Sequence, residues 1–463
     1  MTNNNPTVNQ ENNAFTSLIG LVFVFLIIAL LNVPVLITIW ENSFDDGTYS
    51  HAYLIPFISM FLYYKLAKTG QLTYRSKLSS IPLLLLVFSA AFFFIMSTAQ
   101  ISLGYWAGIL AILLSGVLLI YRTSWQVLFP SLFLVFLFPG WGLLTALLQK
   151  VAVSAVTFLM SFTGIPTFVE GNFVTIPAGV FEIADGCSGL RYLIVSLAIS
   201  SLFNFLYIKN IRKAVLFFAV AILGALITNW IRITALILIG EYTDMQSSLM
   251  TDHNTFGWYL YAPFMVILFM WGNKLADNDQ LSVEITSNSA ESKLYPAVVN
   301  SLALLFIIVI SSTSIKTLTL SNSNISHTPT TMPSIAPIIN NYSHLELAPD
   351  TGNTLYLKYF FNGALANGKP TAHYNNFIPV DWRSVQEETV GLWKYITIVN
   401  KNNVALVRYT FEINGQRTAS SGAFKKQRII AALTGNSNTY LLWQYTPCLN
   451  NCNQEKLNLQ KAI

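Results

Sequence analysis

Charged residues are scarce in this chain. Only 10% of its 463 residues are Asp, Glu, Lys or Arg, whereas soluble globular proteins carry about 25%. So small a charged fraction excludes a soluble protein of this length, because its surface could not be solvated. Hydrophobic residues make up 53% of the chain, which predicts an α-helical polytopic protein in the lipid bilayer. The net charge of +5 is too small to indicate a nucleic-acid partner.

Cysteine is also scarce, with only Cys187, Cys448 and Cys452 in the chain. Cys448 and Cys452 are close in sequence, so in an exported domain they favour a local disulfide over two free thiols. Cys187 would then be the unpaired cysteine. A free thiol facing an oxidising compartment is a liability unless it takes part in chemistry.

The length of each apolar run can be compared with the roughly 20 residues that a helix needs to cross a bilayer. The first run lacks a small-residue cleavage site, which predicts an anchor and not a removed signal peptide. The run at 51–64 is the weakest, because it is short and contains His51 and Pro56. Nine spans are predicted, at about 16–40, 51–64, 79–97, 101–121, 124–140, 188–208, 214–240, 255–272 and 294–313.

The charges in the loops orient these spans. Basic residues follow the second, fourth, sixth and eighth spans, whereas the loop 41–50 and Asp252 carry acidic side chains. Because positively charged loops stay in the cytoplasm, we expect residues 1–15 to be a cytoplasmic tail and the C-terminus to be outside. This orientation requires that 142–163, which contains Gln149, is an interfacial or re-entrant helix and does not cross.

The composition changes along the chain and predicts its domains. Residues 16–315 are predicted to form the membrane-embedded domain. Within it, 167–183 is strand-like, with turn signals at Gly171-Asn172 and Pro177-Ala178-Gly179 that predict an exported hairpin. Residues 316–342 are rich in Ser, Thr, Asn and Pro, which is typical of a linker. Residues 343–463 alternate apolar and polar side chains, which predicts a small exported α+β or β-rich domain.

Three residues able to do chemistry come to the same outer membrane face in this topology. Cys187 lies at the start of one span, Arg232 lies inside the next, and His253 begins the one after. A thiolate is the nucleophilic form of cysteine, and a helix N-terminus beside cationic groups favours it. His253 would serve as general base and then as acid. Arg232 would stabilise an oxyanion or the thiolate.

Each residue taken alone also has an ordinary explanation. A lone cysteine in a membrane helix is most often a small apolar filler, an arginine near a helix end often extends to the interface, and His253 could be a plain interfacial residue. The joint pattern favours function, because an arginine inside a span is costly and is a functional hypothesis by default. Gly186 and Gly189 would also allow close backbone approach beside Cys187.

The blocks 184–191 (ADGCSGLR), 229–232 (NWIR) and 253–258 (HNTFGW) resemble the three signature blocks of the exosortase/archaeosortase family. The run 50–56 (SHAYLIP) also resembles the N-terminal block of that family, so the resemblance covers most of 16–275. The region 316–463 resembles, more loosely, the exosortase-associated domain fused to enzymes of the exosortase A type.

The resemblance implies a multi-pass bacterial inner-membrane cysteine transpeptidase or protease with a periplasmic C-terminal domain. Its partners would be membrane-anchored proteins with a C-terminal sorting signal: a Pro-Glu-Pro type motif, a transmembrane helix and a basic tail. Surface-protein sorting and exopolysaccharide production would be the associated processes. It further implies Cys187 as nucleophile, Arg232 as transition-state stabiliser and His253 as acid/base. The accessory candidates are Arg191, His51, Asn229 and Asp185.

Two alternatives stay open at this point. The run Gly186-Cys187-Ser188-Gly189 also fits rhomboid-type serine proteases, in which Ser188 would be the nucleophile and His253 the base. A non-enzymatic exopolysaccharide export component is the second alternative, with its intramembrane arginines lining a path. No cofactor or metal is expected, because His51, His253 and Asp185 lack a recognisable metal-ligand spacing.

Overall fold

The computed structural model describes residues 6–44, 47–277, 296–320, 333–348, 354–363, 365, 368–371, 375–401, 403–448 and 452–461. The chain forms two compact units. The first comprises Met1–Val24, Ile39–Leu78 and Val117–Leu302. The second comprises Phe25–Thr38, Ser79–Gly116 and Ala303–Ile463.

The helices in the described part of the chain are α1 (Pro6–Leu31), α2 (Val33–Ser43), α3 (Ile55–Lys68), α4 (Ser80–Thr98), α5 (Ser102–Ile120), α6 (Trp125–Phe133), α7 (Thr145–Met160), α8 (Leu190–Tyr207), α9 (Ile211–Tyr242), α10 (Ser248–Thr251), α11 (His253–Leu275), α12 (Pro296–Leu320), α13 (Ser421–Ala432) and α14 (Asn453–Lys461). Short 3-10 turns occupy Ser50–Tyr53, Leu134–Leu137, Pro139–Leu144 and Asp185–Cys187. The strands are β1 (Phe168–Glu170), β2 (Phe173–Ile176), β3 (Gly179–Glu182), β4 (His344–Ala348), β5 (Leu355–Phe361), β6 (Arg383–Val390), β7 (Trp393–Asn400), β8 (Asn403–Ile413), β9 (Gln416–Thr418) and β10 (Thr439–Cys448).

Six helices in the described residues are long and apolar enough to cross a bilayer, which confirms the membrane class. They are Ser80–Thr98, Ser102–Ile120, Pro139–Met160, Leu190–Tyr207, Ile211–Tyr242 and Thr255–Leu275. The first predicted span instead forms two helices, Phe15–Leu31 and Val33–Ser43, which meet at an angle of 87° and make a seventh span if they count as one.

The prediction of nine spans is not confirmed. Two of the predicted runs form helices shorter than a bilayer crossing requires, α3 over the run at 51–64 and Trp125–Leu137 over the run at 124–140. In α12, which covers the last predicted run, the apolar stretch among the described side chains is Val298–Ile310. Hydropathy counts apolar residues without sensing where the backbone breaks, so an apolar run can be longer than the helix that it forms.

Helix α7 covers most of the segment 142–163, for which an interfacial or re-entrant helix was predicted. Together with the turn before it, it forms an apolar helix of 22 residues that satisfies the same length and hydropathy criterion as the other five. Gln149, which had suggested a non-crossing segment, is buried and donates from Nε2 to the Ile183 carbonyl oxygen at 2.6 Å. A polar side chain that is satisfied inside the protein does not prevent burial in the membrane.

Strands β1, β2 and β3 form an antiparallel three-stranded meander where a hairpin was predicted. The two predicted turns each join a pair of strands, and Gly171 adopts the positive φ of +60° that the first turn needs. Val174 and Ile176 pack against α7 and α9 in one apolar cluster. The Ala178 amide donates to Glu241 Oε2 at 3.0 Å, which fastens the meander to the end of α9. The meander is therefore held where it leads directly into residues 184–187.

The C-terminal region folds around an antiparallel seven-stranded sheet in the order β4-β5-β10-β8-β7-β6, with β9 paired to β8. This confirms the expected β-rich region. Its core on one face includes Trp443 and Phe411, and helix α13 contributes Phe424. Residues 321–332 of the predicted linker lie outside the described residues. In the rest of that segment, 316–320 belong to α12 and Ile339 packs in the sheet core.

The other face of the sheet is covered by helix α14. Cys448 and Cys452 form a disulfide with an S–S distance of 2.08 Å, which ties the end of β10 to the residue before α14. Arg408 is buried and donates from Nη1 to the Leu459 carbonyl oxygen at 2.8 Å. A cation at the end of α14 also suits the negative end of the helix dipole.

Removal of the Trp443 side chain should destabilise the C-terminal domain. Trp443 is fully buried, and its indole N–H donates to the Phe377 carbonyl oxygen at 2.9 Å. We expect Trp443→Ala to lower the free energy of unfolding by about 3–5 kcal/mol, measured by thermolysin susceptibility of the full-length protein in detergent. Leu433→Ala is the control, since Leu433 is 64% exposed. Equal susceptibility of the two variants would contradict this packing.

Candidate functional site

Cys187 closes a tight turn between the β3 strand and helix α8. The Cys187 amide donates to the Ala184 carbonyl oxygen at 2.8 Å, and the Ser188 amide donates to that of Asp185 at 3.1 Å. Helix α8 begins at Leu190, so Cys187 precedes the helix by three residues. The thiol is free and half-buried, beside exposed residues 184–186. A reagent or substrate can therefore reach the thiol, while hydrogen bonds hold the backbone of the turn in place.

Asn229 on α9 holds this turn. Its side chain is completely buried, and its Nδ2 donates to the Cys187 carbonyl oxygen at 3.0 Å. Gly189 makes this approach possible. A Cβ atom on Gly189 would lie 2.7 Å from Asn229 Nδ2, and the φ of +86° at that residue disfavours any other amino acid. The cysteine block and the NWIR block are thereby joined by a direct contact.

Arg232 lies one turn further along α9 and is only 3% exposed. Its Nη1 donates to Tyr192 Oη at 3.1 Å, and its guanidinium carbon lies 5.4 Å from the centre of that ring. Its Nε and Nη2 groups have no hydrogen-bond partner within the described ranges. Buried N–H groups of a cation are costly to leave unpaired, so this guanidinium is suited to an anionic group that arrives with a substrate.

The third block reaches the same place through Gly257 on α11. A Cβ atom there would lie 1.8 Å from Tyr192 Oη and 3.0 Å from Arg232 Cδ, so only glycine fits. His253 begins α11, one turn before Gly257, but its side chain lies outside the described residues. The three blocks therefore converge through Asn229, Tyr192 and Gly257.

Arg191 connects the cysteine block to the fourth block, 50–56. Its Nη2 donates to Ser50 Oγ at 3.0 Å, and its guanidinium lies 5.8 Å from the centre of the Trp258 ring, which is within cation–π distance. His51 hydrogen-bonds through Nε2 to the Phe136 carbonyl oxygen at 3.1 Å. Asp185 is exposed and takes part through its backbone.

An apolar cavity of about 270 Å³ lies next to Arg191. Ser50, His51 and Trp258 contribute to its wall, and aliphatic side chains of α3 and α8 supply most of the rest. No three His, Cys, Asp or Glu side chains in the described residues lie close enough together to hold a metal ion.

Sequence reasoning missed Tyr192, Gly257 and Trp258 as parts of this site. Their positions in the sequence could have indicated them, since Tyr192 directly follows the cysteine block and the other two lie within the third block. A hydroxyl partner for the arginine cannot be identified from spacing alone, because it depends on how α8 and α9 pack. Ser188 had been an alternative nucleophile, yet its side chain is only 1% exposed.

We expect Gly189→Ala to release the turn that carries Cys187, because the added Cβ displaces Asn229 from the Cys187 carbonyl. Maleimide should then label Cys187 several-fold faster in the full-length protein, in which the other two cysteines are paired. Gly186→Ala is a matched control, since a Cβ there meets nothing within 4 Å. Unchanged labelling of Gly189→Ala would show that Asn229 does not restrain the turn.

Comparison with known proteins supplies one match. The model for the transmembrane exosortase family matches residues 40–270, about half of the chain, and includes all four blocks. The match ends before the C-terminal domain, so the resemblance of 316–463 to an exosortase-associated domain stays a prediction. Neither a curated protein nor a solved structure matches the chain. The chain belongs to the transmembrane exosortase family.

Proposed function

We propose that the protein is a membrane cysteine transpeptidase or protease that cleaves C-terminal sorting signals of exported proteins, with Cys187 as the nucleophile. Membership of the exosortase family supports a sorting transpeptidase. One observation carries the assignment to Cys187: the turn that Asn229 holds presents its thiol half-exposed. Arg232, one turn along α9 from Asn229, has Nε and Nη2 groups without a partner among the described residues.

The reaction would proceed in two steps. His253 takes the proton of the Cys187 thiol, the thiolate attacks the carbonyl carbon of the scissile peptide, and Nε and Nη2 of Arg232 stabilise the oxyanion. The C–N bond then breaks, and His253 donates a proton to the leaving amine. The product is a thioester between Cys187 and the exported part of the substrate. Water or an acceptor amine then gives a proton to His253, attacks the thioester carbonyl carbon and releases Cys187.

The remaining residues of the site would position these groups. Asn229 orients the Cys187 turn through the carbonyl oxygen, and Tyr192 fixes one edge of the Arg232 guanidinium while leaving Nε and Nη2 for the substrate. Arg191 and His51 are accessory candidates beside the apolar cavity. We infer that this cavity accepts apolar side chains of the substrate's transmembrane helix, which would approach laterally.

The substrates would be membrane-anchored proteins with a Pro-Glu-Pro type motif, a transmembrane helix and a basic tail at the C-terminus. The protein would act in a bacterial inner membrane with its C-terminal domain on the periplasmic side, in surface-protein sorting linked to exopolysaccharide production. The loop charges and the family membership support this setting.

The burial of Ser188 argues against the rhomboid-type alternative. Its side chain is 1% exposed, and its Oγ accepts a hydrogen bond from the Leu190 amide at 3.4 Å. A hydroxyl that caps the start of α8 and lies below the surface is poorly placed to attack a peptide. The neighbouring thiol is the more accessible nucleophile.

Separate substitutions at positions 187 and 188 test the assignment. We expect Cys187→Ala to lower processing of a reporter with a C-terminal Pro-Glu-Pro signal by at least about 1,000-fold. Ser188→Ala, which removes a buried hydroxyl, should lower it by less than about tenfold. Cleavage is measured by the change in reporter mass on gels of membrane fractions.

The controls separate the alternatives. Processing retained in Cys187→Ala and lost in Ser188→Ala would establish the serine mechanism instead. Cys187→Ser keeps polarity and nearly keeps volume, so an export component without enzymatic activity would retain full function in that variant. We expect Cys187→Ser to be inactive, because a hydroxyl is a far weaker nucleophile than a thiolate.

A further inference from the structure

Another buried arginine, Arg428, lies far along the chain from the candidate site. Arg428, on helix α13 of the C-terminal domain, is 3% exposed and lies over the Phe424 ring at 5.1 Å. Its Nε and Nη1 groups have no hydrogen-bond partner among the residues that the structure describes. A guanidinium removed from water in this way is costly, so an anion that binds it would offset a large desolvation penalty.

Helix α13 packs against α4, and the loop at 368–371 fastens the same region to the turn between α4 and α5. Lys369 Nζ donates to the Gln100 carbonyl oxygen at 2.9 Å and to Ser102 Oγ at 3.4 Å. Gln100 Nε2 donates in return to the Gly368 carbonyl oxygen at 3.0 Å. A second cation is thus held at the end of α4, beside the helix that carries Arg428.

The two cations are near each other and near Lys425. Burial, together with the charges of Arg428 and Lys425, lowers the pKa of Lys369 to about 8. None of the ion pairs within the described ranges includes Lys369, Lys425 or Arg428; those pairs join Lys213–Asp277, His344–Glu346, Lys358–Glu346, Lys394–Glu387, Arg417–Glu412 and Lys456–Glu388. The cluster therefore carries positive charge that none of these carboxylates neutralises.

Two buried hydroxyls add further donors to this region. Thr371 lies two residues after Lys369, and Thr98 lies two residues before Gln100. The Oγ1 atoms of both threonines are buried and have no partner within the part of the chain that is described. Guanidinium, ammonium and hydroxyl donors together match the oxygens of a phosphate group, which accept several hydrogen bonds at once.

The position of the cluster suggests where such a phosphate comes from. Helices α4 and α5 are both long and apolar enough to cross a bilayer, and only residues 99–101 join them. A connection this short between two spans lies at a membrane surface, which is where lipid phosphates are found.

We propose that Arg428 and Lys369, together with the α4–α5 turn, form a binding site for a phosphate group at the membrane surface. The bound group is either the phosphate of an anionic lipid or a free phosphate, which share the same chemistry. Its binding would neutralise the buried cations and so hold the C-terminal domain on the α4–α5 turn.

Melting of the full-length protein in detergent tests this site. We expect mixed micelles with phosphatidylglycerol to raise the melting temperature of the wild-type protein by several degrees, whereas a neutral diacylglycerol lipid without phosphate should not. Inorganic phosphate alone should reproduce the rise only if the ligand is a free anion. In Arg428→Gln the rise should be lost, and in Lys426→Gln, which changes the charge of α13 equally at an exposed position, it should persist.

The melting experiment either supports or overturns the proposed phosphate site. A rise that is lost in Arg428→Gln and kept in Lys426→Gln supports the site, with the lipid or the free phosphate identified by which additive produces it. No rise with either additive, or an equal rise in wild type and Arg428→Gln, overturns it. If Arg428→Gln fails to fold, Lys369→Gln replaces it, and an unchanged midpoint of the phosphate or lipid titration in that variant overturns the site as well.

Discussion

The hydrogen bond from Asn229 to the Cys187 carbonyl oxygen is the interaction on which the candidate site depends. It crosses from α9 to the turn before α8, and it fixes the backbone that carries the only free thiol in the described residues. Because Gly189 has no Cβ, the amide can approach this closely, and the left-handed φ at that glycine directs the chain into α8. The turn is therefore shaped before any substrate binds, which reduces the ordering that binding would require.

Arg232 provides the second constraint. An arginine inside a membrane-embedded bundle is tolerated only when its charge is paired or used. Tyr192 satisfies one of its nitrogens and the bare backbone of Gly257 makes room for the pair, yet Nε and Nη2 stay unpartnered among the described residues. This arrangement resembles Arg428 in the C-terminal domain, where Nε and Nη1 of a buried guanidinium also lack a partner within the described part of the chain. In both places the protein would keep a cation desolvated for an anion that it does not itself supply.

The sequence alone predicted the features that depend on neighbouring residues in the chain. It did not predict the contacts that depend on how the helices pack. The blocks around Cys187, Arg232 and residue 253 could be identified as converging, because loop charges assign helix ends to membrane faces. The turns at Gly171 and Pro177 also predicted the strands that lead to Cys187. The role of Tyr192 could not be predicted, since a hydroxyl finds its arginine only through the packing of α8 on α9. Two of the nine predicted spans form short helices, because hydropathy does not sense breaks in the backbone. Gln149 alone does not mark 142–163 as a segment that stays outside the membrane, because a strand carbonyl satisfies its side chain.

The central claim is that Cys187 forms a thioester with its substrate, and mass spectrometry of the trapped intermediate tests it most directly. The wild-type protein is mixed with a membrane-anchored substrate, quenched in acid and digested. The account predicts a substrate fragment joined to the peptide that contains Cys187, released by hydroxylamine and absent from Cys187→Ala. Substrate turnover with the fragment attached to Ser188, or with no adduct on the enzyme at any time, would contradict it.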